Sequence, residues 1–338
     1  MKAWRFTEGF GAENLKIVEL PEPKPAAGEA VVRVRACSLN YRDLAVLKGA
    51  YGGSVKPPLI PLSDGAGEVV AIGEGVTRVK VGDKVAAAFM QAWIEGPPDE
   101  SKAGSALGGA IDGMMAEQVC LKAEGLVHYP QHLSVEEAAA LPCAAVTAWH
   151  ALFRSGALRP GETVLLQGSG GVSVFALQFA KMAGARVIVT SGSDAKIERL
   201  KGMGADATIN YKTTPDWDKP VRQLTGGVGV DHVVEVGGAG TLPLTSKCVK
   251  RGGHIALIGV LAGGGQFDPR LMMLKAARLQ GIFVGSREMF EEMNRAIALA
   301  GMRPVMDRIF GFEELPAALG YLESGAHFGK IGVRVQGG

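Results

Sequence analysis

The run Gly168-Ser169-Gly170-Gly171-Val172-Ser173 is the stretch whose residue types point most directly to chemistry. Glycine at 168 allows a tight turn, and glycine at 170 removes the Cβ that would keep an anion from the backbone. An apolar, β-branched run at residues 163–166 precedes it. Residues with helical spacing follow, with Phe175 and Phe179 four apart. Strand, glycine turn and helix N-terminus together offer unpaired N–H groups and a positive dipole end to a pyrophosphate. Ser173 stands where the third glycine of Gly-x-Gly-x-x-Gly would be, and a glycine turn of any α/β sheet is the plainer alternative. The segments that follow favour a nucleotide site. Residues 186–190 read as a second strand, 195–203 as a helix and 207–210 as a third strand, a right-handed βαβαβ unit.

A chain of 338 residues with 47% hydrophobic content supports two domains with sizeable cores. Thirty-six basic against 34 acidic residues leave a net charge of +2 and no basic run, which argues against nucleic acid and anionic membranes as principal partners. No apolar run approaches the roughly 20 residues of a membrane helix. The N-terminus lacks an apolar signal core, so a cytoplasmic location is expected. Cys37, Cys120, Cys143 and Cys248 lie far apart without a Cys-x-x-Cys pair, so neither a disulfide framework nor a structural zinc site is indicated.

The first part of the chain is strand-rich, with candidates at 2–6, 15–20, 29–37, 65–72 and 116–121 and a short helix at 38–48. A turn at 81–85 leads into a further strand. Residues 90–113 carry Pro, Gly, Ser and acidic residues with little periodicity, and read equally as a functional loop or a surface excursion. Ser134 and Glu137 form a capping box; the helix they open is interrupted by Pro142, and a second helix is expected at 144–155. Strands at 231–236, 253–260 and 279–285 would complete a six-stranded parallel sheet. Helices are expected at 287–300 and within 310–322. The alternating run 329–335 is expected to return to the first domain.

Asn40-Tyr41-Arg42-Asp43-Leu44, Gly65-Ala66-Gly67-Glu68-Val69, Val81-Gly82-Asp83-Lys84-Val85, residues 138–152, the glycine fingerprint and Gly329-Lys330 occur in one order along the chain. On these segments the sequence resembles the medium-chain dehydrogenase/reductase family over nearly its whole length. The resemblance implies an α/β protein: a GroES-like, β-rich substrate domain over 1–124 and 288–338, and a Rossmann domain with a doubly wound, six-stranded parallel sheet over 125–287. It also implies a cofactor in the cleft between them. Zinc enzymes of the family offer Cys, His and Cys to the catalytic metal; here the matching positions are Asn40, Ser63 and Cys143. One thiolate cannot hold a zinc that needs three protein ligands, so no metal is expected and Cys143 reads as a packing residue. The resemblance is to the zinc-free branch of quinone oxidoreductases and enoyl reductases.

The resemblance places Ser191 where an acidic residue would select NAD(H), and Lys196 and Tyr211 where a 2′-phosphate is held, so NADP(H) is favoured over NAD(H). Asp194 reads as a helix cap. The cofactor set it implies is Asn40, Thr147, Gly168, Ser169, Gly170, Gly171, Val172, Ser191, Gly192, Lys196, Tyr211, Val236, Gly237, Ile258, Gly259, Phe283, Val284 and Lys330. Tyr51 resembles the cleft tyrosine of enoyl reductases, where a phenol would donate to the developing enolate; a packing aromatic is the alternative. Asn40 would bond cofactor or substrate, or cap a helix. Arg42 with Asp43 reads as a structural ion pair and His150 as a core histidine. These features favour reduction of an α,β-unsaturated carbonyl, quinone or enoyl thioester. A zinc-free alcohol or carbonyl dehydrogenase and a non-enzymatic NADPH-binding protein remain as alternatives. The apolar run Ile282-Phe283-Val284, in an expected edge strand without proline or charge, points to a homodimer, with further pairing into a tetramer left open.

Overall fold

The structure is a computed structural model, and it describes residues 1–51, 55–259, 261 and 265–335. The first stretch carries β1 (Lys2–Phe6), β2 (Leu15–Glu19), β3 (Glu29–Ser38), β4 (Asp64–Ile72), β5 (Lys84–Ala87), β6 (Gln118–Lys122) and β7 (Leu126–His128). The central stretch carries β8 (Thr163–Gln167), β9 (Arg186–Ser191), β10 (Ala207–Asn210), β11 (Val230–Glu235), β12 (Val249–Leu257) and β13 (Arg278–Gly281). β14 (Met306–Gly311) and β15 (Lys330–Arg334) close the chain. Two compact units result: residues 1–146 with 285–338, and residues 147–284. Sequence places the divisions at 124/125 and 287/288. They differ because the helix Val135–Ala139 packs on β3, β4 and β15. Among the described residues no helix is long and apolar enough to cross a membrane.

In the unit formed by both chain ends, the main sheet runs β14-β15-β3-β4-β5-β7, with β6 also paired to β3. β3 organises it because EAVVRVRACS alternates, and its small and β-branched side chains are buried while Arg33 and Arg35 stay partly exposed. β15 pairs antiparallel with β3, which brings the C-terminal segment back to the first domain. β14, parallel to β15, was not legible in the sequence because its side chains alternate poorly and two of its six residues are exposed. Residues 90–113 are anchored at both ends, while 95–101 lie exposed at the surface. Met90, Trp93 and Leu107 are buried, and bridges join Met90 to Ala106 and Leu107 to Ile111.

The central unit is a six-stranded, all-parallel sheet in the order β10-β9-β8-β11-β12-β13. β8 and β9 are rich in Val, Ile and Leu, β11 carries three valines, and all three strands are almost wholly buried, as strands covered on both faces must be. Each such side chain contributes roughly 1.5–3 kcal/mol of burial. β12 is Val249–Leu257, not 253–260, and residue 260 lies outside the described residues; two further expectations need correction. Pro142 lies within a wide-turned helical segment, Leu141–Ala145, whose longer-range bonding tolerates a residue without an N–H. The sixth strand is Arg278–Gly281, not 279–285: Val284 takes a left-handed φ of 52° and turns the chain out of the sheet. That strand therefore opens on a charged residue, and all four of its residues are exposed.

Candidate functional site

In the first unit the positions that would carry a catalytic zinc form a buried polar network instead. Asn40 starts the helix Tyr41–Leu47, and its backbone N–H donates to the Asp43 carboxylate at 2.7 Å. The Lys330 ammonium donates to the Leu39 carbonyl and to Asn40 Oδ1, both at 2.6 Å, and lies 3.7 Å from Asp64. The Ser63 hydroxyl donates to Asp64 Oδ1 at 2.8 Å, and the Cys143 backbone N–H points to Asp64 Oδ2 at 3.3 Å. Asp64 is 0% and Lys330 2% exposed. Burial pushes the Asp64 carboxyl up; the Lys330 ammonium, the Asn40 amide and the Ser63 hydroxyl pull it back. Burial likewise pushes Asp43 to about 6 and raises the Cys143 thiol well above its usual range. An amide, a hydroxyl and a single thiol beside an ammonium do not match the Cys, His and Cys set that zinc enzymes of the family offer. With Oδ1 taken by Lys330, the Asn40 carboxamide is fixed with Nδ2 as its donor, 3.5 Å from the Ser63 hydroxyl.

Tyr51 belongs to a second cluster of that unit. The Arg42 guanidinium sits 4.5 Å from the Tyr51 ring centroid and 4.8 Å from that of Phe89. It donates to the Leu107 carbonyl at 2.7 Å and the Gly108 carbonyl at 3.3 Å. The expected ion pair with Asp43 is present at a long 3.9 Å, and Arg42 is besides a clamp between Tyr51 and residues 107–108. Asp43 serves the helix start. The sequence offered no sign of this clamp, because its carbonyl acceptors carry no residue identity.

In the central unit Gly168 has φ 74°, a conformation that favours glycine. A Cβ on Gly170 would meet no atom within 4 Å, so the space above it is open to a ligand. The helix Gly171–Met182 starts from Gly170 with no side-chain cap, which leaves the N–H groups around Gly171, Val172 and Ser173 facing that space. Ser169 is buried in the turn. Ser173 replaces the third glycine productively: its hydroxyl donates to the Gln167 carbonyl at 2.6 Å and draws helix to strand. The cradle fits a pyrophosphate.

Ser191 closes β9, and Tyr211, whose N–H bonds the Ser191 carbonyl at 3.1 Å, lies over Gly192, where a Cβ would collide with the ring. Lys196 is on the first turn of the helix Asp194–Gly202. That helix is capped by Ser193, not Asp194, whose carboxylate accepts from Asn210 Nδ2 at 2.6 Å. Ser191, Gly192 and Tyr211 are thus brought together, with Lys196 one turn away. Val236 and Gly237 follow β11, and Ile258 and Gly259 follow β12. Gly259 must be glycine because a Cβ there would strike the Val236 carbonyl. Thr147 is buried in the helix Val146–Trp149. Phe283 is 44% exposed, and the Val284 carbonyl accepts from His150 Nδ1 at 2.7 Å. Ile258, Gly259, Ile282 and Phe283 line an apolar pocket of about 630 Å³ with Leu242 and Phe267.

Residues 26–131 match the family model described as the alcohol dehydrogenase GroES-like domain, and residues 171–299 match that of the zinc-binding dehydrogenase. A zinc-type alcohol dehydrogenase-like protein of Schizosaccharomyces pombe is 45% identical over 334 residues, 96% of each chain. The chain belongs to the medium-chain dehydrogenase/reductase family. An acryloyl-coenzyme A reductase of Metallosphaera sedula is 31% identical over 94% of this chain and 96% of its own. A crystal structure of an NAD-dependent alcohol dehydrogenase superposes with a TM-score of 0.90 at 35% identity, covering 99% of this chain and all of that one. Membership of this family makes the chain an oxidoreductase and implies a nicotinamide cofactor.

Proposed function

We propose that this protein is a zinc-independent, NADPH-dependent reductase of α,β-unsaturated carbonyl compounds, quinones or enoyl thioesters. The observation that carries the reading is the buried ammonium of Lys330 among Asn40, Ser63 and Asp64, where a zinc enzyme of the family would hold its metal. When bound, the dinucleotide supplies hydride chemistry. The chain's own residues supply orientation and charge stabilisation. Gly168 to Ser173 hold the pyrophosphate, and Ser191, Lys196 and Tyr211 hold the 2′-phosphate. Negative charge develops on the substrate's carbonyl oxygen, and hydrogen-bond donors aimed there lower the barrier. Tyr51, steadied by Arg42, supplies that donor, and Asn40 Nδ2 is a second. The kinship with an acryloyl-coenzyme A reductase supports a thioester acceptor. Kinship with an NAD-dependent alcohol dehydrogenase supports a second reading, oxidation of an alcohol.

The test is loss of NADPH absorbance with a panel of enones, quinones, enoyl thioesters and aldehydes, in the presence of a chelator. Tyr51→Phe is expected to lower turnover about a hundredfold with unchanged NADPH affinity, the worth of one oxyanion donor. Unaltered turnover returns Tyr51 to packing. Activity confined to alcohols and aldehydes, or lost on chelation with one zinc per chain, overturns the reading.

The protein acts as a homodimer through β13, whose exposed edge continues into the half-exposed Phe283. Phe283→Lys is expected to shift light scattering from dimer to monomer; a wild-type monomer at micromolar concentration rules the dimer out.

A further inference from the structure

The catalytic reading leaves unused a buried carboxylate in the central unit. Glu235 ends β11, is 0% exposed, and finds no ion-pair partner among the described residues. Its Oε1 accepts from the backbone N–H groups of Gly237 at 2.8 Å and Gly238 at 2.9 Å and from the Thr241 hydroxyl at 2.6 Å. Its Oε2 accepts from Gln167 Nε2 at 2.8 Å and from the Thr245 hydroxyl. All five partners are neutral donors, so the group acts here as a carboxylate held by dipoles alone.

Gln167 ends β8 and completes the device. Its Nε2 donates to Glu235 and to the Thr245 hydroxyl at 2.9 Å, while its Oε1 accepts from Val236 and Gly237 N–H, both at 3.2 Å. Its backbone carbonyl accepts from Ser173. β8 and β11 are adjacent, parallel strands, and the strand order reverses between them. In open parallel sheets a ligand enters beyond the strand ends at that reversal. One wall of the crevice is the glycine turn after Gln167, and the other is the segment after Glu235.

We propose that the Gln167–Glu235 pair is a strut that presets the dinucleotide crevice and sorts the two halves of the dinucleotide between its walls. The strut consumes the N–H groups of Val236, Gly237 and Gly238 and puts a negative charge behind them, so this wall cannot serve as a phosphate site. The uncapped helix at Gly171 keeps its N–H groups for the pyrophosphate. The nicotinamide half is left to the Val236–Gly238 wall, beside the apolar pocket that includes Gly238, Ile258 and Phe283. Gln167 and Glu235 are positioning residues, acting through the backbone. The proposal rests on the dinucleotide reading of this unit.

The experiment compares binding of NADPH and of adenosine 2′,5′-bisphosphate by calorimetry. The fragment carries the adenosine half, with the 2′-phosphate expected at Ser191, Lys196 and Tyr211 and one 5′-phosphate at the glycine turn, and lacks the nicotinamide half. Gln167→Leu is expected to weaken NADPH roughly tenfold or more, a loss on the scale of a few hydrogen bonds, and to leave the fragment within about twofold of wild type. Glu235→Gln, of nearly equal volume, is expected to do the same to a smaller degree. Equal losses for both ligands, or no loss, overturn the strut. Hydrogen exchange on the cofactor-free wild type tests it without a variant: the amides of Gly237 and Gly238 are expected to be protected already. Fast exchange that slows only on adding NADPH overturns a preset crevice. A wild type that binds neither ligand overturns the dinucleotide reading, and the strut falls with it.

Discussion

Asp64 in the first unit and Glu235 in the central unit are equally buried carboxylates kept by opposite means. Asp64 faces the Lys330 ammonium, and it is held besides by a serine hydroxyl and a backbone N–H. Glu235 has five neutral donors, four of them within ten residues along the chain. A charge balanced by another charge depends on a partner that the fold must deliver from far away: Lys330 comes from 290 residues beyond Asn40. A charge balanced by dipoles is assembled locally as its own loop folds. The first arrangement is brittle to loss of its partner and sensitive to pH; the second is suited to fixing a backbone shape.

The largest expected effect follows from breaking the charged arrangement. Lys330→Met leaves the Asp64 carboxylate and Asn40 Oδ1 without their cation and is expected to cost about 3–5 kcal/mol in urea unfolding, the usual result of orphaning a buried charge. The sign of its pH dependence follows from Asp64, whose carboxyl is already raised by burial and is held down by Lys330. Without the ammonium that carboxyl rises further, so the folded variant loses stability as pH rises. The deficit should therefore be larger at pH 8 than at pH 5. A deficit that is the same at both pH values would show that Lys330 acts by packing, and the contrast between the two units would fail.

Asp43 gives a second, smaller handle on the same unit. Its carboxyl is pushed from 3.8 to about 6 by burial, with Arg42 and the Asn40 N–H opposing. A carboxyl raised in the folded state contributes stability that is fully present below about pH 4 and is lost as pH rises through about 6, for a total of about 3 kcal/mol. Asp43→Asn is expected to flatten stability between about pH 4 and 6, read by thermal unfolding across that window. A variant with the wild-type slope would place the titration elsewhere.

The parts of the molecule that were legible are those with local rules. β1, β10 and the helix Arg287–Ala300 have the bounds expected of them, and the Ser134–Glu137 capping box is present with both its bonds. The six-strand order follows from alternation of strand and helix. What escaped depends on partners the sequence does not name. The sixth strand ends at Gly281, short of the expected 285, because nothing in Ile282-Phe283-Val284 signals a β-branched residue at positive φ whose carbonyl accepts from His150. The Lys330–Asp64 contact joins segments with no shared pattern. Glu235 did leave a trace: an acid at the end of the strand Val230–Glu235, two residues before the pair Gly237-Gly238, is a charge that must find donors.

The smallest expected effect tests the nucleotide unit by removing a charge at its rim. Lys196 stands on the first turn of the helix Asp194–Gly202, whose N-cap Ser193 accepts the Lys196 N–H. Ser191 and the Tyr211 ring over Gly192 lie at the end of the neighbouring strand. No acidic residue stands at Ser191 to turn away a 2′-phosphate. Lys196 is partly exposed, so removing its ammonium orphans no fully buried charge and is expected to change stability less than Lys330→Met does. Its worth lies in a charge-assisted contact to phosphate, about 1.5–3 kcal/mol, or roughly tenfold or more in affinity. Lys196→Ala is therefore expected to weaken NADPH about tenfold by fluorescence titration, to leave NADH nearly unchanged, and to lose its effect in high salt. Equal loss for both cofactors would assign Lys196 to the helix and not to the phosphate. A preference for NADH in the wild type would remove the 2′-phosphate reading of Ser191 and Tyr211 together.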